Sequence, residues 1–157
     1  MDAAQAILAS FDAALNDNWE SLASALSGLD EPMASWQPRA YANEPHDDGI
    51  GKPGTVLWFL NHLEHCHRHY AQILRVRPIS TQPETKPPGE LPLAQIVPRL
   101  HAANTELRAA IAGLSPADVE AACTPRKNVV QFVSAIVRHI AWHGGQIMTV
   151  RRLYAHR

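Results

Sequence analysis

Cysteine is nearly absent from this 157-residue chain: Cys66 and Cys123 stand far apart and outside any Cys-x-x-Cys arrangement. That spacing argues against a disulfide framework and a thiolate zinc site, and leaves two free thiols. An excess of either charge is also missing, because 14 lysines and arginines meet 15 acidic residues. Such a balance offers no general attraction to nucleic acid, anionic membranes or acidic substrates, so the expected partner is a small molecule. No run approaches the ~18 apolar residues of a membrane span, and Met1 to Leu15 lack a basic start followed by a continuous apolar stretch. The expectation is a cytoplasmic protein that engages neither membrane nor nucleic acid. No segment alternates apolar with polar residues at a period of two, so no sheet is predicted. The length suits one domain with a core of its own.

Helical periodicity is what the chain does have. From residue 2 to about 27, Ile7, Phe11, Leu15, Leu22 and Leu26 recur at helical steps and predict one amphipathic helix. Gly28 stops that helix, and the stretch that follows to Gly54 carries Pro32, Pro38, Pro45, Pro53, Gly49, Gly51 and Gly54, which predicts a long loop over residues 28 to 53 pinned by Trp36 and Tyr41. A loop of that length in a compact domain is more often a functional cover than an idle connection. A second helix is predicted from Thr55 to Arg77, with Val56, Leu63, Cys66, Tyr70 and Ile73 in register. Five prolines between 78 and 92 demand an extended crossover. A third helix follows from about Leu93 to Ile111, with Pro98 either kinking it or marking its first turn. Ser115 to Asp118 predicts a short helical turn. The fourth helix, Asn128 to about Tyr154, has the clearest seam: Val129, Val133, Ile136, Ile140, His143, Ile147, Val150 and Tyr154. Four helices with long connections predict an all-α fold, a four-helix bundle with crossover topology.

Nine histidines are many for this length, and six of them, His62, His65, His67, His69, His139 and His143, fall in two short segments. His139 and His143 are four apart on the fourth helix, so their rings stack one turn above each other and can share one ion. A third ligand has to come from another helix. On the second helix His62 lies nearest the apolar seam and shares its side with Cys66 and His69, whereas His67 points away. His65, His67 and His69 are expected to be satisfied or solvent-facing. Unpaired imidazoles among core side chains would cost roughly 1–3 kcal/mol each, and coordination removes that cost. Gly144 and Gly145 sit inside the same helix at ~1 kcal/mol apiece, which suggests a close approach to the backbone there.

The pattern His-x-x-x-His-x-Gly-Gln, met by His139, His143, Gly145 and Gln146, and the context Leu57-Trp58-Phe59-Leu60-Asn61-His62-Leu63 resemble the DinB-like (damage-inducible) superfamily of small four-helix proteins, to which thiol-dependent S-transferases belong. The resemblance covers essentially the whole chain and implies a metal triad of His62, His139 and His143, together with a homodimer. The extra histidines on the second helix and Pro98 depart from the family pattern.

Three neutral nitrogen ligands favour zinc or nickel over magnesium and calcium, and leave a coordination position open for chemistry. The leading expectation is a metal-dependent transferase or hydrolase that activates a low-molecular-weight thiol or water, with substrate under residues 28 to 53 and Gln146 orienting a ligand. A non-catalytic metal-binding stress protein is the second, and a metal-free structural bundle the third. No general base is evident: Glu64 faces away from His62, and chemistry through Cys66 has no support. The Glu64-x-x-His67 pair lacks the matching glutamates that a di-iron bundle requires. The balanced charge also provides no phosphate-binding surface for DNA.

Overall fold

The computed structural model describes residues 2–42 and 49–157. Helices are α1 Ala3–Asn16, α2 Leu22–Leu26, α3 Glu31–Ser35, α4 Val56–Arg75, α5 Leu93–Ala112, α6 Pro116–Glu120 and α7 Val129–Ala155. The fold is all-α, with one minor addition: β1 Ala122–Thr124 pairs antiparallel with β2 Lys127–Asn128. That pair corrects the expectation of no sheet. Strands of three and two residues are too short to leave a period-two signal. None of the described helices is long and apolar enough to cross a membrane.

The four longer helices form a ring of contacts, α1 on α5, α5 on α4, α4 on α7 and α7 on α1. Helices α1 and α4 therefore face each other diagonally, as do α5 and α7, and the chain between each pair crosses the bundle. Contact is most extensive between α4 and α5 and much sparser between α4 and α7. Side chains rather than close backbones span the latter gap, and there the six-residue run from Ile136 to Ala141 brings its buried members Ile136 and Ile140 into the core. The predicted seam of α7 is buried at Val129, Val133, Ile136, Ile140, His143, Ile147 and Val150.

The helix termini follow local chemistry. Thr55 Oγ1 accepts from the Trp58 amide at 3.0 Å to start α4, and Asn128 and Gln131 form a reciprocal capping box on α7. The single helix expected over residues 2–27 is instead two. Asp17 adopts extended backbone and closes α1, and the Ser21 hydroxyl caps α2, because short polar side chains between Asn16 and Ser21 compete for backbone hydrogen bonds. Helix α5 runs unbroken from Leu93 through Pro98. Pro92 brings no capping side chain, and the Glu31 carboxylate of α3 takes the Leu93 amide at 2.9 Å instead.

The predicted first loop thus contains α3 and a 3-10 turn at Arg39–Tyr41, and its 43–48 portion, with Pro45, lies outside the described residues. Trp36 packs edge-on against Tyr154 at 5.8 Å, and Tyr41 covers Gly54, whose φ of +77° and lack of a side chain admit the ring. The crossover is fastened as well. Asn61 exchanges two hydrogen bonds with the Leu91 backbone at 3.0 and 3.1 Å, and Glu90 accepts from the Lys52 amide at 3.1 Å.

Candidate metal centre

His62 and Cys66 occupy successive turns of α4, and His139 and His143 successive turns of α7. His139 Nε2 lies 3.1 Å from His62 Nε2 and 2.9 Å from His143 Nε2. The His62 and His143 ring centroids are 5.0 Å apart. The three residues expected as a triad are therefore brought together from two helices. Trp58 lies flat on His62 at 5.1 Å and 5°, Phe59 is 5.4 Å from His143, and Trp142 stacks on the outer side of His143. These rings fix the planes of the imidazoles.

The protons do not balance among these nitrogens. His143 Nδ1 donates to Gln146 Oε1 at 2.7 Å, which leaves Nε2 of the same ring with its lone pair pointing at His139. His139 Nε2 can carry one proton at most, yet it faces two ring nitrogens, and its Nδ1 is buried without a hydrogen-bond partner among the described residues. An additional proton is opposed. Burial, then the neighbouring His139 and His62, push His143 down to about 3, and burial lowers His139. His139 and His143, held toward the neutral form beside His62, suit a Lewis acid. Two imidazole nitrogens bonded to one ion at about 2.1 Å stand roughly 3.0–3.4 Å apart for angles between a right angle and the tetrahedral value, close to the spacing found here.

Cys66 also stands at this spot, which the sequence reading did not anticipate. Its sulfur is 3.6 Å from His62 Nε2, and ligand atoms of His62, Cys66 and His139 all lie within 4.8 Å of one another, a group able to hold a metal ion. The available signal was positional: Cys66 is one turn beyond His62 on the same side of the helix. Burial pushes its thiol up to about 12, partly offset by a hydrogen bond from Tyr70.

The remaining α4 histidines lie elsewhere. His65 is buried and its Nε2 meets Glu84 Oε1 at 3.2 Å. His67 is fully buried against α5, with Nδ1 on Asn104 Oδ1 at 2.6 Å and Nε2 unpartnered among the described residues. It is thus neither solvent-facing nor fully satisfied. His69 is half-buried, and its Nδ1 has no partner among the described residues. Glu64 turns away from His62 as expected and accepts from Arg68 at 2.5 Å and Arg99 at 3.1 Å. A Cβ on Gly144 or Gly145 would meet nothing within 4 Å, so the expected close approach to the α7 backbone is not found within the chain.

A cleft of about 540 Å³ opens on His62 between Ile50, Trp58, His65 and residues 84–87. Its outer wall is mainly the crossover after α4. Of residues 28–53, Ile50 lines the cleft among the described residues.

A family model described as the DinB superfamily matches residues 14–147, from the last turn of α1 into α7. That span includes His62, Cys66, His139 and His143. No curated protein and no solved structure matches the chain.

Proposed function

We propose that this chain, which belongs to the DinB superfamily, holds one zinc or nickel ion on His62, His139 and His143 and acts as a transferase or hydrolase on a small molecule. The observation that carries this reading is the approach of the His62 and His143 ring nitrogens to His139 Nε2, at 3.1 and 2.9 Å, with the outward N–H of His143 already given to Gln146. Nitrogen donors without a carboxylate favour a late first-row divalent ion. When bound, such an ion supplies the Lewis acidity that makes a thiol or water nucleophilic near neutral pH.

The chain's own groups prepare and screen that chemistry. Gln146 holds the His143 tautomer that leaves Nε2 free to ligate. Trp58 fixes the plane of His62 and forms an apolar wall of the cleft, where Ile50 and Pro87 exclude water from a bound substrate. Thr85, Lys86 and Glu84 at the same cleft supply polar contacts.

Elemental analysis of purified protein tests the metal, with about one ion per chain expected and loss of that ion in His62→Ala, His139→Ala and His143→Ala. Unchanged metal content in those variants would overturn the reading. A panel of low-molecular-weight thiols and electrophilic acceptors then tests the reaction, with metal-dependent turnover expected. A second reading, metal binding without turnover, is favoured by Cys66 beside the histidines, because a fourth protein donor closes the position a substrate needs. Metal-replete protein without turnover across the panel would support it.

A further inference from the structure

We propose that Cys66 is a fourth donor to the same ion, and that its sulfur closes the centre in the resting protein until an incoming ligand displaces it. This inference rests on the reading that His62, His139 and His143 hold the ion. Its geometry is separate. A metal–sulfur bond of about 2.3 Å and a metal–nitrogen bond of about 2.1 Å, at a near-tetrahedral angle, place sulfur and nitrogen ~3.6 Å apart. Cys66 Sγ stands 3.6 Å from His62 Nε2. The separation is too long for a strong hydrogen bond yet matches two donors sharing one centre.

The surroundings agree with that role. Cys66 is 8% exposed and is one turn from His62, so α4 delivers both donors along one line. Tyr70 stands one turn further along α4, its ring 6.2 Å from that of His139. The other thiol, Cys123, sits in the hairpin with its sulfur on the Lys127 carbonyl at 3.5 Å. Coordination replaces the S–H bond of Cys66 with an S–metal bond and releases one proton to solvent.

Two consequences follow for the centre. Three imidazoles and one thiolate give a softer donor set than three imidazoles alone, which selects zinc, cobalt or nickel more strongly over harder ions. Access becomes an exchange of ligands. The cleft touches His62 but not Cys66, so a molecule arriving through it gains its position on the ion only as the sulfur gives one up.

Cobalt(II) substitution tests this directly. The full-length cobalt protein is expected to show visible d–d bands together with a near-ultraviolet sulfur-to-cobalt charge-transfer band. In Cys66→Ser the visible bands persist and the near-ultraviolet band disappears. Azide, as a probe of an open position, then perturbs the Cys66→Ser spectrum at a concentration at least about tenfold below that needed for the wild type. Visible bands without the charge-transfer band in the wild type would overturn the role of Cys66 and leave the histidine centre standing. Failure to bind cobalt at all would overturn both. Should Cys66→Ser fail to fold, X-ray absorption of the wild-type zinc protein decides the same question: a sulfur shell near ~2.3 Å supports the assignment, and a nitrogen-only shell rejects it.

Discussion

Helix α4 buries polar side chains on two of its faces, and the two faces solve the burial problem differently. Toward α5, acceptors meet donors: Glu64 lies between Arg68 and Arg99, and His67 donates to Asn104. Toward α7, nitrogen meets nitrogen: His62 and His143 both approach His139, with Gln146 holding the one outward N–H of His143. The first face is a protein interior mostly completed by its own hydrogen bonds and ion pairs, with His67 Nε2 left over among the described residues. On the second, ring nitrogens face one another, the arrangement that the proposed ion would complete. Histidine content therefore does not identify a ligand on this helix, because both faces carry histidines, His67 buried and His62 half-buried. What separates them is whether the partner group offers a proton or another lone pair.

The largest expected effect comes from breaking the α7 side of the second face. The double variant His139→Ala/His143→Ala removes two of the proposed donors, and metal affinity should fall by at least on the order of 10⁴-fold, since a full set of ligands supplies roughly 10–16 kcal/mol. Competition with a chromogenic chelator reads that loss. Secondary structure should survive in far-ultraviolet circular dichroism because α7 retains its apolar seam. Metal affinity within about tenfold of wild type would show that the two faces of α4 are not distinct in the way argued.

The same comparison is broken from the other side by Glu64→Ala. The Glu64 carboxylate is 2% exposed, and its loss removes the partner of two arginines that can still turn toward solvent. A destabilisation of about 2–3 kcal/mol in urea unfolding is expected, with metal stoichiometry unchanged. Equal loss of metal would mean that the α4–α5 interface also sets the position of His62.

Much of this was legible from periodicity. The α7 seam and the shared face of His139 and His143 follow from helical spacing, because that spacing fixes which side chains share a face, whereas the choice of His62 as their partner rests also on its resemblance to the DinB-like pattern. Three features were not. The break between Asn16 and Ser21 depends on polar side chains capping helices within a stretch whose apolar spacing continues. The hairpin before α7 is too short to register as a pattern. The cleft wall at residues 84–87 comes from an irregular crossover, and helical spacing says nothing about where such a segment folds back. Cys66 is a different case: its face was legible, but its chemistry depended on a distance to His62 that only coordinates provide.

A more moderate effect is expected at Gln146, which acts through His143 rather than on a substrate. Gln146→Ala removes the acceptor from His143 Nδ1, so the ring can turn or place its proton on Nε2, where it blocks ligation. Metal affinity should fall about 10–100-fold with little change in unfolding free energy. Gln146→Glu restores the acceptor and should recover most of the affinity. Equal affinity in all three proteins would show that packing by Phe59 and Trp142 alone orients the ring.

The smallest expected effect comes from Gly145, one residue before Gln146 but on the outer side of α7. It is exposed, and a Cβ there meets nothing within 4 Å. Gly145→Ala should stabilise the helix by about 0.5–1 kcal/mol through backbone entropy, raising Tm by roughly 1–4 °C while metal affinity stays the same. The value of this variant lies in separating backbone from side chain. If the centre is defined by which atoms face one another, stiffening the turn between His143 and Gln146 leaves the affinity untouched. A change in affinity accompanying the gain in stability would instead place part of the site's energetics in the flexibility of α7, and the contrast between the two faces of α4 would no longer be one of proton donors and lone pairs alone.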